Sequence, residues 1–272
     1  MPRFFVKEEM IFDDHLEIEG QDAHHIARVL RMKEGEHLTL CDFFNTEYLC
    51  MIDSLSGDRV TARILEKRTG GSEPPYGITL YMALPKGDKM EWIIQKAVEL
   101  GVTEIVPFSS AFTVVKLDEK TAPKKVERWQ KIAKSAAEQC GRGTIPQVLP
   151  VCTFGEALIR CEMQSKKEDG TALSFVCYEK EDGVALPRLL EEEKMPAHIS
   201  FFVGAEGGFS EKEIERAAER GVLSVGLGKR ILRCETAPLF VLSALSYRYE
   251  LEQCAHAPSF GREFVKNDGK KL

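Results

Sequence analysis

Between residues 78 and 251 short apolar runs alternate with longer amphipathic stretches, a rhythm that few architectures accommodate. ITLYMAL (78–84) reads as a strand, GDKMEWIIQKAVELG (87–101) as a helix stopped by Gly101, and TEIVPFS (103–109) as a second strand. PKKVERWQKIAKSAAEQCG (123–141) is a helix with Pro123 near its start and Gly141 at its end. TALSFVCY and HISFFVG are apolar enough to be strands buried on both faces. Ser210 and Glu213 form a capping box for SEKEIERAAERG. VLSVGLG is a last strand, followed by a turn and the apolar helix LFVLSALSYRYE. Such alternation predicts an α/β unit, a parallel sheet with helices on both faces.

The Gly-, Pro- and Ser-rich stretch KRTGGSEPPYG (67–77) separates this region from a different pattern and reads as an interdomain linker. Before it, RFFVK, HLEIEG, EHLTLCDF, EYLCMID and RVTARILEK suggest a small β-structure interrupted by one helix, DAHHIARVLRMK. At helical spacing Ile26, Val29 and Leu30 share one face, expected to pack on the strands, while His24, Arg28 and Arg31 share the other. That basic stripe is either a solvated face or a set of phosphate contacts.

No run approaches the ~18 apolar residues of a membrane span, and the charged start MPRFFVKEEM is unlike a signal peptide, so a cytoplasmic protein is expected. The eight cysteines form no C-x-x-C pair and lie mostly in hydrophobic runs, which favours buried thiols over a metal site; no metal is expected. A net charge of −6 argues against a uniformly basic surface, yet residues 116–142 hold eight Lys or Arg against four acids. The segment is a solvated helix face or, if other features point to a polyanion, a focused contact with it.

In an open parallel sheet ligands bind beyond the carboxyl ends of the strands, where two turns qualify. GAEGGFS (204–210) matches neither G-x-G-x-x-G nor the P-loop, so a phosphate cradle is not indicated, and alone it could be a tight turn that binds nothing. LGKRILRCETAP (227–238) carries Arg233 and Glu235 beside apolar Ile231 and Leu232, ahead of a helix that Thr236 could cap. Arg233 and Glu235 could equally be a surface ion pair. Taken together, the turns suit a phosphate-free ligand with an aromatic base and positive charge, such as S-adenosylmethionine.

VGAEGGFSEKE and GLGKRILRCETA resemble the cofactor motifs of the SPOUT methyltransferases, specifically the RsmE family, which methylates N3 of one uridine in small-subunit (16S) ribosomal RNA. HHIARVLRMK, PKGDKMEWIIQKAVELGV and KIAKSAAEQCGRGTIPQV are similar to that family's other signatures and stand in the same order, over about residues 2–250. The resemblance implies a PUA-like RNA-binding β-barrel (1–70), a linker (71–77), a SPOUT α/β domain with a trefoil knot (78–255) and a tail (256–272). It also implies a homodimer with active sites at the subunit interface, acting on 16S rRNA within the small ribosomal subunit.

Three departures stand out: Ala205 where the family commonly has proline, Cys234 where it has threonine, and Ala111-Phe112-Thr113 where it has Glu-Arg-Ser or Glu-Arg-Cys. The cofactor S-adenosylmethionine would be held by Gly204, Glu206, Gly207, Gly208, Leu227, Gly228, Ile231, Leu232, Thr236 and Ala237. Arg233 would hold uracil oxygens or an adjacent phosphate, and Glu206 or Glu235 would bind polar groups of the ligand or accept a proton. RNA contacts are expected from His24, Arg28, Arg31, Lys86, Lys89 and Arg142, the last holding a splayed base. A non-catalytic RNA-binding or ribosome-assembly protein is the rival reading; a nucleotide-dependent oxidoreductase is disfavoured by the missing fingerprint.

Overall fold

The computed structural model describes residues 1–167, 171–181, 183–192 and 194–252. Cys254 and the expected tail, 256–272, lie outside the described residues.

The chain opens with strands β1 (Arg3–Phe5) and β2 (His15–Glu19), helix α1 (Gly20–His24), and strands β3 (His37–Cys41), β4 (Thr46–Ser56) and β5 (Arg59–Thr69). They form a five-stranded sheet in the order β1-β3-β4-β5-β2, parallel between β1 and β3 and antiparallel elsewhere. Alternate strand residues (Leu16, Ile18, Leu38, Leu40, Tyr48, Cys50, Val60, Ala62) enclose a small core closed by Ala23 and Ile26. The sheet curls around that core, although edge strands β1 and β2 are not hydrogen-bonded to each other among the described residues.

The first helix departs from its expected pattern. After α1 the backbone widens into a π-helical turn, His25–Val29, and Arg31 adopts a positive φ of 55°. The wider turn breaks the 3.6-residue spacing, so only Ile26 stays inside, while Val29 and Leu30 are 63% and 42% exposed. The expected apolar stripe through Ile26, Val29 and Leu30 is therefore corrected.

From Gly77 the strand and helix alternation takes over. Strand β6 (Gly77–Ala83), helix α2 (Lys89–Glu99), β7 (Glu104–Ser109), helix α3 (Thr121–Cys140), short strands β8 (Gln147–Val148) and β9 (Cys152–Thr153) and helix α4 (Phe154–Lys167) come first. They are followed by β10 (Ala172–Cys177), α5 (Leu186–Glu192), β11 (His198–Val203), α6 (Glu211–Ala218), β12 (Leu223–Val225) and α7 (Thr236–Ser246). The main path of the sheet is β12-β10-β11-β6-β7-β8, with β9 also pairing β7, and every pair is parallel. One face packs on α2, α3, α5 and α7 through Ile93, Trp129, Leu189 and Val241, the other on α4 and α6 through Phe154, Leu158 and Ala217. Gly141 ends α3 in the left-handed conformation, and Ser210 with Glu213 closes the capping box of α6.

The two sheets share a seam. Phe5 and Cys41 join the core of the second sheet beside Trp129 and Ala133, and Lys134 on α3 pairs with Asp22 at 2.7 Å. Arg142, expected to reach RNA, is corrected here: it is 3% exposed, with a bidentate pair to Glu73 in the connecting segment. Its Nη1 donates to the carbonyls of Val98 (3.1 Å) and Val102 (2.8 Å). Glu73 also accepts from the backbone N–H groups of Gly143 and Thr144 and from the Thr144 hydroxyl. Every donor of this guanidinium faces protein, so it fastens the connector to the second sheet.

Local pairing also reduces the positive excess over 116–142. Arg128 pairs with Glu91, Lys134 with Asp22 and Arg142 with Glu73, all acids outside the segment, while Lys116, Lys120 and Lys124 are exposed. No helix among the described residues is long and apolar enough to cross a membrane.

Candidate functional site

The carboxyl ends of β6, β7, β10, β11 and β12 lie along one edge of the sheet, and the loops leaving four of them enclose a cavity of about 530 Å³. Its walls are residues 177–179 after β10, 203–208 at the end of β11, and 227–235 with Ala237 after β12, together with Lys89 at the start of α2. The volume suits a nucleoside-sized ligand.

The glycine loop keeps side chains away from the wall by close backbone approach. A Cβ on Gly204 would lie 2.9 Å from the Cα and carbonyl carbon of Gly208, closer than real contacts allow. Gly208 itself has φ of 65°, and a Cβ there would meet the Glu179 carboxylate at 2.9 Å. The loop folds back on itself through Gly208 N–H donating to the Ala205 carbonyl at 3.0 Å. Peptide groups of Gly204, Gly207, Gly208 and Gly228 thus line a cavity whose apolar surface comes from Val203, Leu227, Ile231, Leu232 and Ala237.

Three carboxylates (Glu179, Glu206, Glu235) and four cations (Lys89, Lys229, Arg230, Arg233) line the cavity, so it is divided in charge rather than simply acidic. Lys89 Nζ lies 2.9 Å from Glu206 and 3.3 Å from Glu235 and bridges them. The hydrogen bond to Glu206, with that to Glu235, raises the Lys89 pKa. Burial opposes ionisation of Glu206, but the hydrogen bond from Lys89 and the backbone N–H of Lys86 outweigh it and its pKa is lowered. Glu235 is likewise lowered: burial opposes, while hydrogen bonds from its own backbone, from Cys234 and from Lys89 prevail. Burial, reinforced by the Glu235 carboxylate, pushes the Cys234 thiol up to about 12, so it is a neutral wall group and not a nucleophile.

Of the residues singled out in the sequence, Gly204, Glu206, Gly207, Gly208, Leu227, Gly228, Ile231, Leu232, Arg233, Glu235 and Ala237 are gathered in this cavity. Thr236 is not in the lining and is the first residue of α7, so it does not cap that helix; Glu235 holds the cap position. Lys89, expected on an RNA-facing surface, stands in the cavity wall between two glutamates. Lys86 is exposed just outside the cavity; His24 on α1, Arg28 in the π-helical turn and Arg31 beyond it are all exposed, so the expected basic stripe is not the face of one regular helix. Arg233 is exposed with no ion pair among the described residues, so Arg233 and Glu235 are not a surface pair.

The sequence reading missed Cys177, Tyr178, Glu179, Lys229 and Arg230. The strand end TALSFVCYE carried the signal for the first three, because it is a third carboxyl end on the same edge. Lys229 and Arg230 stand in the very turn that supplied Arg233. Among the described residues no three His, Cys, Asp or Glu side chains converge as a metal set.

Residues 72–246 match the RNA methyltransferase domain family, and residues 18–65 match the RNA methyltransferase PUA domain. Over 258 residues the chain is 40% identical to ribosomal RNA small subunit methyltransferase E of Bacillus subtilis (strain 168), covering 92% of this chain and 98% of that protein. It is 32% identical over 244 residues to the protein of the same name from Synechocystis, covering 90% of this chain and 77% of that one. The crystal structure of ribosomal RNA small subunit methyltransferase E from Neisseria gonorrhoeae, bound to S-adenosyl methionine, superposes with a TM-score of 0.78. The identity there is 36%, over 90% of this chain and 97% of that chain.

Proposed function

The chain belongs to the ribosomal RNA small subunit methyltransferase E family, and we propose that it transfers a methyl group from S-adenosylmethionine to N3 of a uridine in 16S ribosomal RNA. The observation that carries this reading is the cavity itself: glycine peptide groups and apolar side chains beside three carboxylates, without a phosphate motif, and bordered by three cations on one turn. Its residues fit S-adenosylmethionine. Val203, Leu227, Ile231, Leu232 and Ala237 offer apolar surface to an adenine ring, and the peptide groups of Gly204, Gly207, Gly208 and Gly228 offer hydrogen bonds. Glu179, Glu206 and Glu235 suit the cationic end of the cofactor. When bound, the cofactor supplies an electrophilic methyl group on a sulfonium.

The remaining work belongs to the chain. Uracil N3 carries a proton at neutral pH, and Arg233 would stabilise the anion left by its loss by donating to a uracil oxygen. Glu206 and Glu235, both bridged by Lys89, would bind the polar, cationic groups of the ligand or accept the proton. Lys229 and Arg230 would hold the flanking phosphates.

The first sheet, residues 1–70, would bind RNA through exposed His24, Arg28 and Arg31. Two further features are part of the reading. Gly226 exchanges backbone hydrogen bonds with Val184 and Leu186, which holds the chain after β12 against the segment after β10; the trefoil knot itself is part of the reading through family membership. Exposed Trp92 on α2, Phe240 on α7 and Tyr247 just after it support a homodimer built on the packed α2 and α7 pair. Action on the small ribosomal subunit implies a cytoplasmic protein.

The deciding experiment transfers labelled methyl groups onto small ribosomal subunits from cells lacking the modification, followed by mass mapping of the nucleotide. A product at uridine N3 is expected. Binding of S-adenosylmethionine and RNA with no transfer would favour a non-catalytic assembly protein.

A further inference from the structure

The turn after β7, residues 110–113, is a feature that the methyl-transfer reading leaves unused. It is braced at both ends. The Thr113 N–H donates to the Ser110 carbonyl at 3.1 Å, and the Ser110 N–H donates to the Thr113 hydroxyl at 2.9 Å. Ala111 N–H donates to Glu213 at 2.8 Å, and Glu213 is buried and is also the carboxylate that caps α6 after the glycine loop. The turn is therefore tied to the element that follows the cavity wall.

On this turn Phe112 leaves 49% of its surface exposed and lies directly against Gly207, a residue of that wall. A Cβ on Gly207 would come 2.7 Å from Phe112 Cβ and 3.4 Å from its Cγ, so the glycine is what lets the ring sit there. A half-exposed aromatic ring on a hydrogen-bonded turn, packed on Gly207 in the wall of a cavity that Lys229, Arg230 and Arg233 also line, offers the stacking face that goes with backbone cations in holding single-stranded nucleic acid.

We propose that Phe112 stacks on an unpaired base of the RNA strand that enters the cavity, fixing that strand for transfer. The inference rests on the methyltransferase reading and adds a substrate contact to it. Stacking needs a flat π face, whereas packing against Gly207 needs only bulk, and this difference separates the two roles by substitution.

The test compares Phe112→Leu, Phe112→Ala, Phe112→Tyr and Phe112→Trp for S-adenosylmethionine affinity by calorimetry, affinity for unmodified small subunits, and KM and kcat for those subunits. Leucine and alanine are expected to weaken subunit affinity and raise KM by roughly tenfold to a hundredfold. Tyrosine and tryptophan should stay near wild type, and cofactor affinity should hold in all four. Leucine behaving as wild type, or losses that track cofactor affinity, would overturn the proposal and leave Phe112 as a brace for the loop. A wild-type chain that binds subunits without methylating them would refute the functional reading alone, because the affinity series still decides on Phe112.

Discussion

Replacing Arg142 by methionine removes a guanidinium that is 3% exposed and leaves Glu73, with a side chain 14% exposed, without its cation. Glu73 keeps three donors, the N–H groups of Gly143 and Thr144 and the Thr144 hydroxyl, but the carbonyls of Val98 and Val102 each lose a partner. Breaking a buried pair from one side costs about 3–5 kcal/mol. For a chain of this size the melting temperature should fall by roughly 6–20 °C.

Thermal unfolding without RNA measures the effect, and a double variant, Glu73→Leu with Arg142→Met, should recover part of the loss because no charge is then left buried alone. Acid adds a second arm. Burial opposes ionisation of Glu73, but the Arg142 hydrogen bonds prevail and hold its pKa below the ordinary 4.5. A depressed carboxylate contributes stability that is present above 4.5 and is lost as pH falls through the folded-state value, since the unfolded chain then binds more protons. Glu73→Gln should therefore flatten the acid side of the stability curve. An Arg142→Met protein with an unchanged melting temperature and a selective loss of RNA binding would refute the reasoning.

Arg233→Ala should lower methyl transfer by roughly a hundredfold or more while cofactor affinity and circular dichroism stay unchanged; unchanged turnover would remove Arg233 from the mechanism. Gly208→Ala places a side chain at φ of 65° against Glu179, so calorimetry should show cofactor binding strongly weakened, with about 1–2 kcal/mol of stability lost to the backbone alone. Lys89→Met removes the cation that does most to lower the Glu206 pKa and contributes to lowering that of Glu235, so both should rise, Glu206 more, and the acid limb of the kcat/KM profile should move to higher pH. A profile that does not move would show that neither carboxylate's ionisation matters to transfer.

Much of the fold was readable because its signals are local. The capping box at Ser210 and Glu213, the stop at Gly141 and the apolar run HISFFV each state a conformation within a few residues. Where the backbone departs from regular spacing the reading failed: a π-helical turn at His25–Val29 has no signature in residue type, so Val29 and Leu30 were placed inside. Helix α4 also went unread: its buried positions, Phe154, Ala157, Leu158 and Cys161, follow helical spacing, but exposed Ile159 and Met163 blur the stripe.

The site was legible as two loops and illegible as a set of partners, and strand order is the reason. Glu206 and Lys89 are 117 positions apart, and nothing in either segment names the other. They meet because β6 lies beside β11 with Met82 opposite Val203, which sets the loop after one strand next to the loop after the other. Pairing in parallel sheets is decided by long-range burial, and several strand orders would serve the same apolar runs. An acid in a glycine loop therefore reads from sequence as a charge looking for a cationic ligand. The neighbouring strand supplies Lys89 first, so the carboxylate is already paired and held in place before any cationic ligand would meet it.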